Sequence, residues 1–287
     1  MREKAGSLDL KKNDTTKKAD LHTHTNYSDG ALSPYELIKK ARELGLEILG
    51  IADHDTVSAI EDSMEIGSEF GVEIVPGVEL SAAIDDREIH ILGYFVDREN
   101  QDLVEYLTVS RKDRMRRAKR IVEKLNKINV PLKLEAVLEK AGSGAVGRPH
   151  IANALLDEGL TGSYVEAFSK YIGYGGPAYE KKNSLSPEDT IALVASTGGL
   201  SFLAHPGKYT SGAVLQRLIK SGLDGIEVIH PSHAPEEVQH YTNIVDQYFL
   251  LASGGSDFHG GKRNDDGALG LYNVPTAWVT EMKKRLF

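Results

Sequence analysis

The chain of 287 residues contains no cysteine. That absence excludes disulfides, thiolate metal sites and thiol nucleophiles, so any bound metal is held by nitrogen and oxygen. No apolar run approaches the roughly 20 residues needed to cross a bilayer, and residues 1–18 are polar and lysine-rich, without a hydrophobic signal core. A cytoplasmic protein with a frayed tail over residues 1–18 is the expectation. Excess positive charge is missing as well: 34 Lys and Arg stand against 42 Asp and Glu, a formal net charge of −8. Non-specific attraction to nucleic acid is therefore disfavoured, while a local basic pocket still suits a phosphorylated substrate. There is no internal repeat and no low-complexity tract. A chain this long buries a full core, as one large α/β domain or as a domain carrying an insertion.

What the sequence does have is histidine in an informative pattern. The stretch Ala19-Asp20-Leu21-His22-Thr23-His24 reads as a short strand, and its period-2 alternation puts His22 and His24 on one face. Asp29 follows on a loop closed by Gly30. Either histidine alone is more simply a core residue satisfied by a backbone carbonyl. Two at i and i+2, with a carboxylate beyond, make a metal-binding set.

From there the chain alternates strand and helix. Ser33-Pro34 caps a helix through Leu37, Ile38, Ala41 and Leu44, and the strand 48–52 ends in Asp53-His54-Asp55. A helix over about 59–70 leads to a strand at 72–75 that ends in Pro76-Gly77-Val78-Glu79, and a strand over 88–95 carries His90. At about Gln101 the rhythm breaks into a long basic helix containing Arg111, Arg114, Arg116, Arg117 and Arg120. Shorter helical pieces follow at 134–140, 151–158 and 164–171, separated by the glycine-rich runs 142–144 and 173–177. Residues 101–183 thus form a helical insertion between a first α/β part, 19–100, and a second, 184–287. In the second part Ser186-Pro187 opens a helix, and the strand 200–204 ends in His205-Pro206-Gly207-Lys208. The strand 225–229 leads to His230-Pro231-Ser232-His233, and a strand at 249–253 leads into Asp257-Phe258-His259.

All the histidines except His150 and His240 fall in expected strands or just beyond strand ends, where α/β proteins place chemistry. Together His22, His24, Asp29, His54, Glu79, His90, His205, Asp257 and His259 outnumber the ligands of one tetrahedral site, so two or three divalent ions are implied. Mn²⁺ is the first choice, and Zn²⁺, Fe²⁺ or Mg²⁺ also fit a nitrogen and oxygen set. Glu79 is the best bridge, since a carboxylate offers two oxygens and an imidazole one free lone pair.

The strings Asp20-Leu-His-Thr-His, Ile51-Ala-Asp-His-Asp, Pro76-Gly-Val-Glu, Leu203-Ala-His-Pro-Gly and Gly255-Ser-Asp-Phe-His resemble the polymerase and histidinol phosphatase (PHP) superfamily, over about residues 19–270. Gly147-Arg148-Pro149-His150-Ile151-Ala152, Gly198-Gly199 and the run from Gly225 to His233 are similar to its TrpH-like branch. Members of that branch act as 3′,5′-nucleotide bisphosphate phosphatases, 5′-nucleotide phosphatases or 5′→3′ exoribonucleases. The resemblance implies an α/β fold, a distorted TIM-like (β/α)7 barrel with the helical insertion over its active-site mouth. It would place His22, His24, Glu79 and Asp257 around a first ion, Glu79, His90 and His205 around a second, and Asp29, His54 and His259 around a third. Near Ile229 the chain departs from relatives that often carry an aromatic residue there.

The implied reaction is in-line attack on phosphorus by a hydroxide bridging two ions. No side-chain acid is assigned. Arg148, Lys208 and His233, with Ser232 beside them, are expected to meet the remaining phosphate charge. His150 either contacts substrate or braces its loop, and His230 and His240 are left as structural or exposed. The expected partner is a small phosphorylated nucleotide, with short 5′-phosphorylated RNA as the alternative should an open channel run past Arg114 and Arg117. No membrane or obligate protein partner is inferred. Histidinol-phosphate phosphatase, a non-catalytic metal-binding module and an amidohydrolase are the competing readings. The insertion argues against the first, the full ligand set against the second, and the cationic residues against the third.

Overall fold

A computed structural model describes residues 18–84, 87–261, 263 and 265–286. The expected tail over residues 1–18 lies outside the described residues except for Lys18, which already belongs to β1 (Lys18–Thr23). The barrel is opened by β1, α1 (Pro34–Glu43), β2 (Leu46–Ile51), α2 (Ile60–Phe70), β3 (Glu73–Ile84) and β4 (Arg87–Tyr94). Next come α3 (Gln101–Lys127), α4 (Leu134–Ala141), α5 (Arg148–Asp157) and α6 (Tyr164–Ala167), which runs into a π-helical turn at Phe168–Ile172. The barrel resumes with α7 (Pro187–Ser196), β5 (Leu200–Leu203), α8 (Gly212–Lys220), β6 (Gly225–Ile229), α9 (Pro235–Tyr248) and β7 (Leu251–Gly254). It ends with β8 (Val274–Pro275) and α10 (Thr276–Leu286).

The local chemistry explains where these elements start. Ser33 and Glu36 form a reciprocal cap on α1, with Ser33 N–H donating to the Glu36 carboxylate at 2.8 Å and Pro34 in the first turn. Ser186 caps α7 by accepting from Asp189 N–H at 3.1 Å. Two expectations are revised. β3 does not stop at Pro76, because its parallel pairing with β2 ends there and its antiparallel pairing with β4 begins at Gly77. The proline, which has no N–H, thus sits where the strand changes partner. β7 starts at Leu251 rather than Phe249, because Phe249 takes a left-handed conformation (φ 56°) and ends α9. Neither β8 nor α10 was anticipated, although Val279 and Met282 are buried three residues apart on α10.

The sheet order is β7-β6-β5-β4-β3-β2-β1-β8, a nearly closed barrel. β4 runs antiparallel to both of its neighbours, so its first half rather than its end reaches the mouth, and His90 lies opposite Ser81 there. Closure falls between β1 and the chain after β7. Thr23 bridges Phe258, His24 N–H donates to Phe258 O at 3.0 Å, and Ser256 N–H donates to Asp20 Oδ1 at 3.0 Å. Gly255 permits the approach, since a Cβ there would lie 2.4 Å from His22 N. Leu92, Tyr94, Val75 and Phe202 fill the barrel, while Ile121, Leu125, Val137, Ile151 and Leu155 build a separate core in the helical segment. Among the described residues no helix is long and apolar enough to cross a membrane.

A buried ionic lock joins the helical segment to the barrel. Asp55, just past β2, accepts from Arg114 of α3 (Nε at 2.7 Å, Nη2 at 2.5 Å) and from Lys182. All three side chains are at most 8 % exposed. Burial raises the proton affinity of Asp55, but the two cations outweigh it and hold the carboxyl well below the usual range. Removing one partner from such a group leaves uncompensated buried charge. Arg114→Ala is therefore expected to lower unfolding stability by about 3–5 kcal/mol, read as a shifted urea midpoint. A midpoint within experimental error of wild type would refute the lock.

Candidate metal centre

Each strand delivers its donor to the same mouth. His22 lies near the end of β1 and His24 just beyond it, both at most 1 % exposed. His54 follows β2 and is fixed beside Glu79 by two backbone bonds, Asp55 N–H to Glu79 O at 3.0 Å and Glu79 N–H to Asp53 O at 3.2 Å. Asp53 also ties down the 25–28 turn, accepting from Thr25 N–H at 2.8 Å and from the hydroxyls of Thr25 and Ser28. His205, Asp55 and Asp257 occupy the left-handed region without being glycine, with φ of 28°, 49° and 50°. Such conformations cost roughly 1–3 kcal/mol each and gather at functional sites.

The nine expected ligand residues converge on one cluster. Glu79 is 1 % exposed and ringed by imidazoles: His22 Nε2, His24 Nε2 and His54 Nδ1 lie 3.3, 3.3 and 3.1 Å from Oε2. His90 Nδ1 and His205 Nε2 lie 2.7 and 2.9 Å from Oε1. Three groups bring their donor atoms within 4.8 Å of one another: His22, His24, Glu79 and Asp257; His54, Glu79 and His90; and His24, Asp29, His54 and His259. This grouping differs from the expected one in that His24 and His54 each face two of the sets. His205 stands beside the second, 3.3 Å from His90 Nδ1.

The donor chemistry fits divalent ions. His22 Nδ1–H donates to Glu227 at 2.9 Å, and His259 Nδ1–H donates to the Asp257 carbonyl at 2.6 Å. Both bonds leave Nε2 with its lone pair aimed into the cluster, the usual arrangement of a metal-ligating histidine. His22 Nε2, His24 Nδ1, His54 Nδ1, Glu79 Oε2 and His259 Nε2 are buried with no hydrogen-bond partner. Buried polar atoms are rarely left so, and here the orphans face one another. Glu227, whose other oxygen accepts from His205 N–H at 2.7 Å, was not singled out from the sequence. Its signal was a carboxylate inside an otherwise apolar strand.

PHP domain sequences match this chain over residues 20–170. The chain belongs to the PHP family. Its sequence is 36% identical to the 5′-3′ exoribonuclease Rnm of Escherichia coli, over 84% of both chains. It is 31% identical to a 3′,5′-nucleoside bisphosphate phosphatase of Chromobacterium violaceum, over 84% of this chain and 86% of that one. The crystal structure of a protein from Bifidobacterium adolescentis, assigned as a metal-dependent phosphoesterase, superposes with a TM-score of 0.87 at 34% identity. That match covers 93% of this chain and 96% of the other.

Around this PHP centre the expected substrate contacts divide. Arg148, in the first turn of α5, lines a cavity of about 180 Å³ together with His54, His90, Glu88, Arg114 and Arg117. Its Nη2 is 3.1 Å from Glu88, and Arg117 is 3.7 Å from the same carboxylate. Arg114 and Arg117 are thus buried in the mouth rather than flanking an open channel. Arg263, not anticipated, pairs with Asp29. His150 Nδ1 accepts from Gly147 N–H at 3.0 Å and so braces the α5 turn.

The other three expectations are corrected. Lys208 is 76 % exposed and faces Glu237 at 3.6 Å, because Gly207 (φ 52°) turns the chain outward. Both His233 nitrogens are taken by backbone, Nδ1–H donating to Val228 O at 2.9 Å and Nε2 accepting from Gly207 N–H at 3.1 Å. Ser232 is exposed and bonds His230 Nδ1 at 2.8 Å. His240 is exposed, whereas His230 is buried, its Nε2 3.5 Å from Asp257.

Charge is strongly organised before any ion binds. Burial opposes charge on His24 and His90, but the carboxylates around them overcome it and raise these imidazoles to about 9 and about 10. Glu79 is held well below the ordinary range despite burial, chiefly by His54, His90 and His22. Both histidine values lie above the unperturbed 6.5, so the stabilisation they contribute is complete below pH 6.5 and is lost as pH rises through 9 and 10. Metal ligation needs neutral imidazoles. Metal loading at pH 7 is therefore expected to release protons and to tighten as pH rises toward 9. Calorimetric titration with Mn²⁺ in buffers of different ionisation enthalpy measures this, and a heat independent of buffer would contradict it.

Proposed function

We propose that this chain is a metal-dependent phosphoesterase that hydrolyses the phosphate monoester of small nucleotides. A 3′,5′-nucleotide bisphosphate, converted to the 5′-monophosphate, is the preferred substrate class, with 5′-nucleotides next. The observation that carries the reading is the adjacency of two unlike sites, a nest of orphaned imidazole and carboxylate atoms around Glu79 and an arginine-lined cavity opening onto it. One site is built for cations and the other for anions.

His22, His24, Glu79 and Asp257 would hold one ion, His54, Glu79, His90 and His205 a second, and Asp29 and His259, with His24 and His54, a third. Mn²⁺ is the first candidate. Bound divalent ions would lower the pKa of water and offset phosphate charge. The remaining work falls to the chain itself. Glu227 keeps His22 in the tautomer that presents Nε2, and Arg148 and Arg117 offer guanidinium groups to phosphate oxygens. Glu88 occupies that position in the free protein and is displaced as phosphate enters. The α3–α6 segment covers the cavity and restricts water.

A second reading, trimming of short RNA from its 5′ end, is supported by the 36% identity to the E. coli exoribonuclease. Turnover of 3′,5′-bisphosphates, 5′-monophosphates and short 5′-phosphorylated RNA, with phosphate and mononucleotide both quantified, separates the two. Glu79→Ala and His54→Ala are expected to abolish turnover while leaving the circular dichroism spectrum of the fold largely intact. Wild-type rates in either variant would remove that residue from the site.

A further inference from the structure

The glycine-rich run at 173–177 belongs to no part of the proposed centre, yet it is a built loop. Gly173 N–H donates to Phe168 O at 2.8 Å, Gly176 N–H to Gly173 O at 2.9 Å, and Ala178 N–H to Tyr171 O at 2.9 Å. A Cβ at Gly173 would lie 2.4 Å from Phe168 O, and one at Gly176 2.5 Å from Tyr171 O, so larger residues are excluded. This constrained loop holds Tyr174 with 69 % of its surface in water. An exposed aromatic on such a frame contributes nothing to a core.

Tyr174 ends a ladder that begins inside the mouth. Phe168 and Arg148 line the arginine cavity. The Arg148 guanidinium lies 5.9 Å from the ring centres of both Phe168 and Tyr179. Tyr179 in turn lies 5.5 Å from Tyr174, edge to face with 65° between the ring planes, so that the Tyr174 ring faces a different direction from that of Tyr179. Beside the outer rungs, Arg120 and Lys124 share the single carboxylate of Glu180 at 2.9 and 2.7 Å, leaving a net positive charge on the rim. Successive aromatic rings with cations alongside are how proteins grip single-stranded nucleic acid without reading its sequence.

We propose that Tyr179 and Tyr174 are a stacking platform for the bases of a single-stranded oligonucleotide whose terminal phosphate lies in the Arg148 cavity. This rests on the phosphoesterase reading of the site and extends it to substrates longer than one nucleotide. Bases beyond the first leave the cavity along the ladder, and the sugar-phosphate backbone follows Arg120 and Lys124. A mononucleotide does not reach Tyr174.

The test uses the full-length, Mn²⁺-loaded protein. Fluorescence anisotropy measures binding of a hydrolysis-resistant phosphorothioate RNA hexamer with a 5′-phosphate, and steady-state kinetics measure a 3′,5′-bisphosphate. Tyr174→Ala is expected to weaken hexamer binding by roughly 5- to 100-fold, Tyr174→Phe to retain it, and both to leave kcat/KM for the bisphosphate unchanged. The proposal is overturned if Tyr174→Ala binds the hexamer as wild type does, if it loses bisphosphate turnover in proportion, or if wild type does not bind the hexamer. A wild-type protein that binds the hexamer in a Tyr174-dependent way but does not turn over the bisphosphate would instead sink the phosphoesterase reading and leave the platform standing.

Discussion

The carboxylate of Glu79 is the constraint on which the rest of this molecule turns. It is almost wholly buried, and five imidazoles from four different strands or strand ends lie within 3.3 Å of its two oxygens. A buried carboxylate without compensation is among the costliest groups a protein can hold. Here compensation comes from imidazoles, of which His22, His24 and His90 are drawn toward protonation in the free protein. The same crowding that favours divalent cations therefore raises some ligand pKa values, so protons and metal ions compete for the centre.

A second layer of charge surrounds the first with opposite sign. Arg114, Arg117, Arg148, Lys182 and Arg263 all lie near the mouth, and each faces a carboxylate: Asp55, Glu88 or Asp29. Burial pulls Lys182 down to about 8, against its attraction to Asp55, which shows how little water reaches this layer. Asp55 pairs with Arg114 and Lys182 out of reach of water, tying the α3 helix to the barrel. Glu88, by contrast, is 20 % exposed and reaches the arginines from the start of β4. One carboxylate is thus fully buried against its cations, while the other, the counter-ion of the proposed phosphate pocket, is open to water.

The comparisons and the geometry meet at the level of the family. The PHP match, the 34% identical phosphoesterase structure and the donor cluster all point to phosphate ester chemistry. Outside that cluster lie the helical segment and the loops after β6 and β7. There the chain presents two cavities, one lined by arginines and the other, of about 370 Å³, lined by Asp265, Leu271 and Tyr272 beside Asp257.

The sequence by itself determined most of the elements and which imidazoles and carboxylates stand at strand ends, for a local reason. Caps such as Ser33 and Ser186 mark helix starts, and strand-end polar residues such as His22, His54 and Asp257 stand out against apolar runs that have no other use for them. The short strand β8 escaped, because it exists only through pairing with β1. The substrate contacts were decided by tertiary structure. Lys208 stands three residues after His205 and His233 three after His230, yet one turns outward at Gly207 and the other spends both nitrogens on backbone. Arg263, Arg117 and Glu227 reach the site from elements far apart along the chain. Proximity in sequence sets which residues share a strand end, but the direction of a side chain and the partner that neutralises it depend on packing between distant segments.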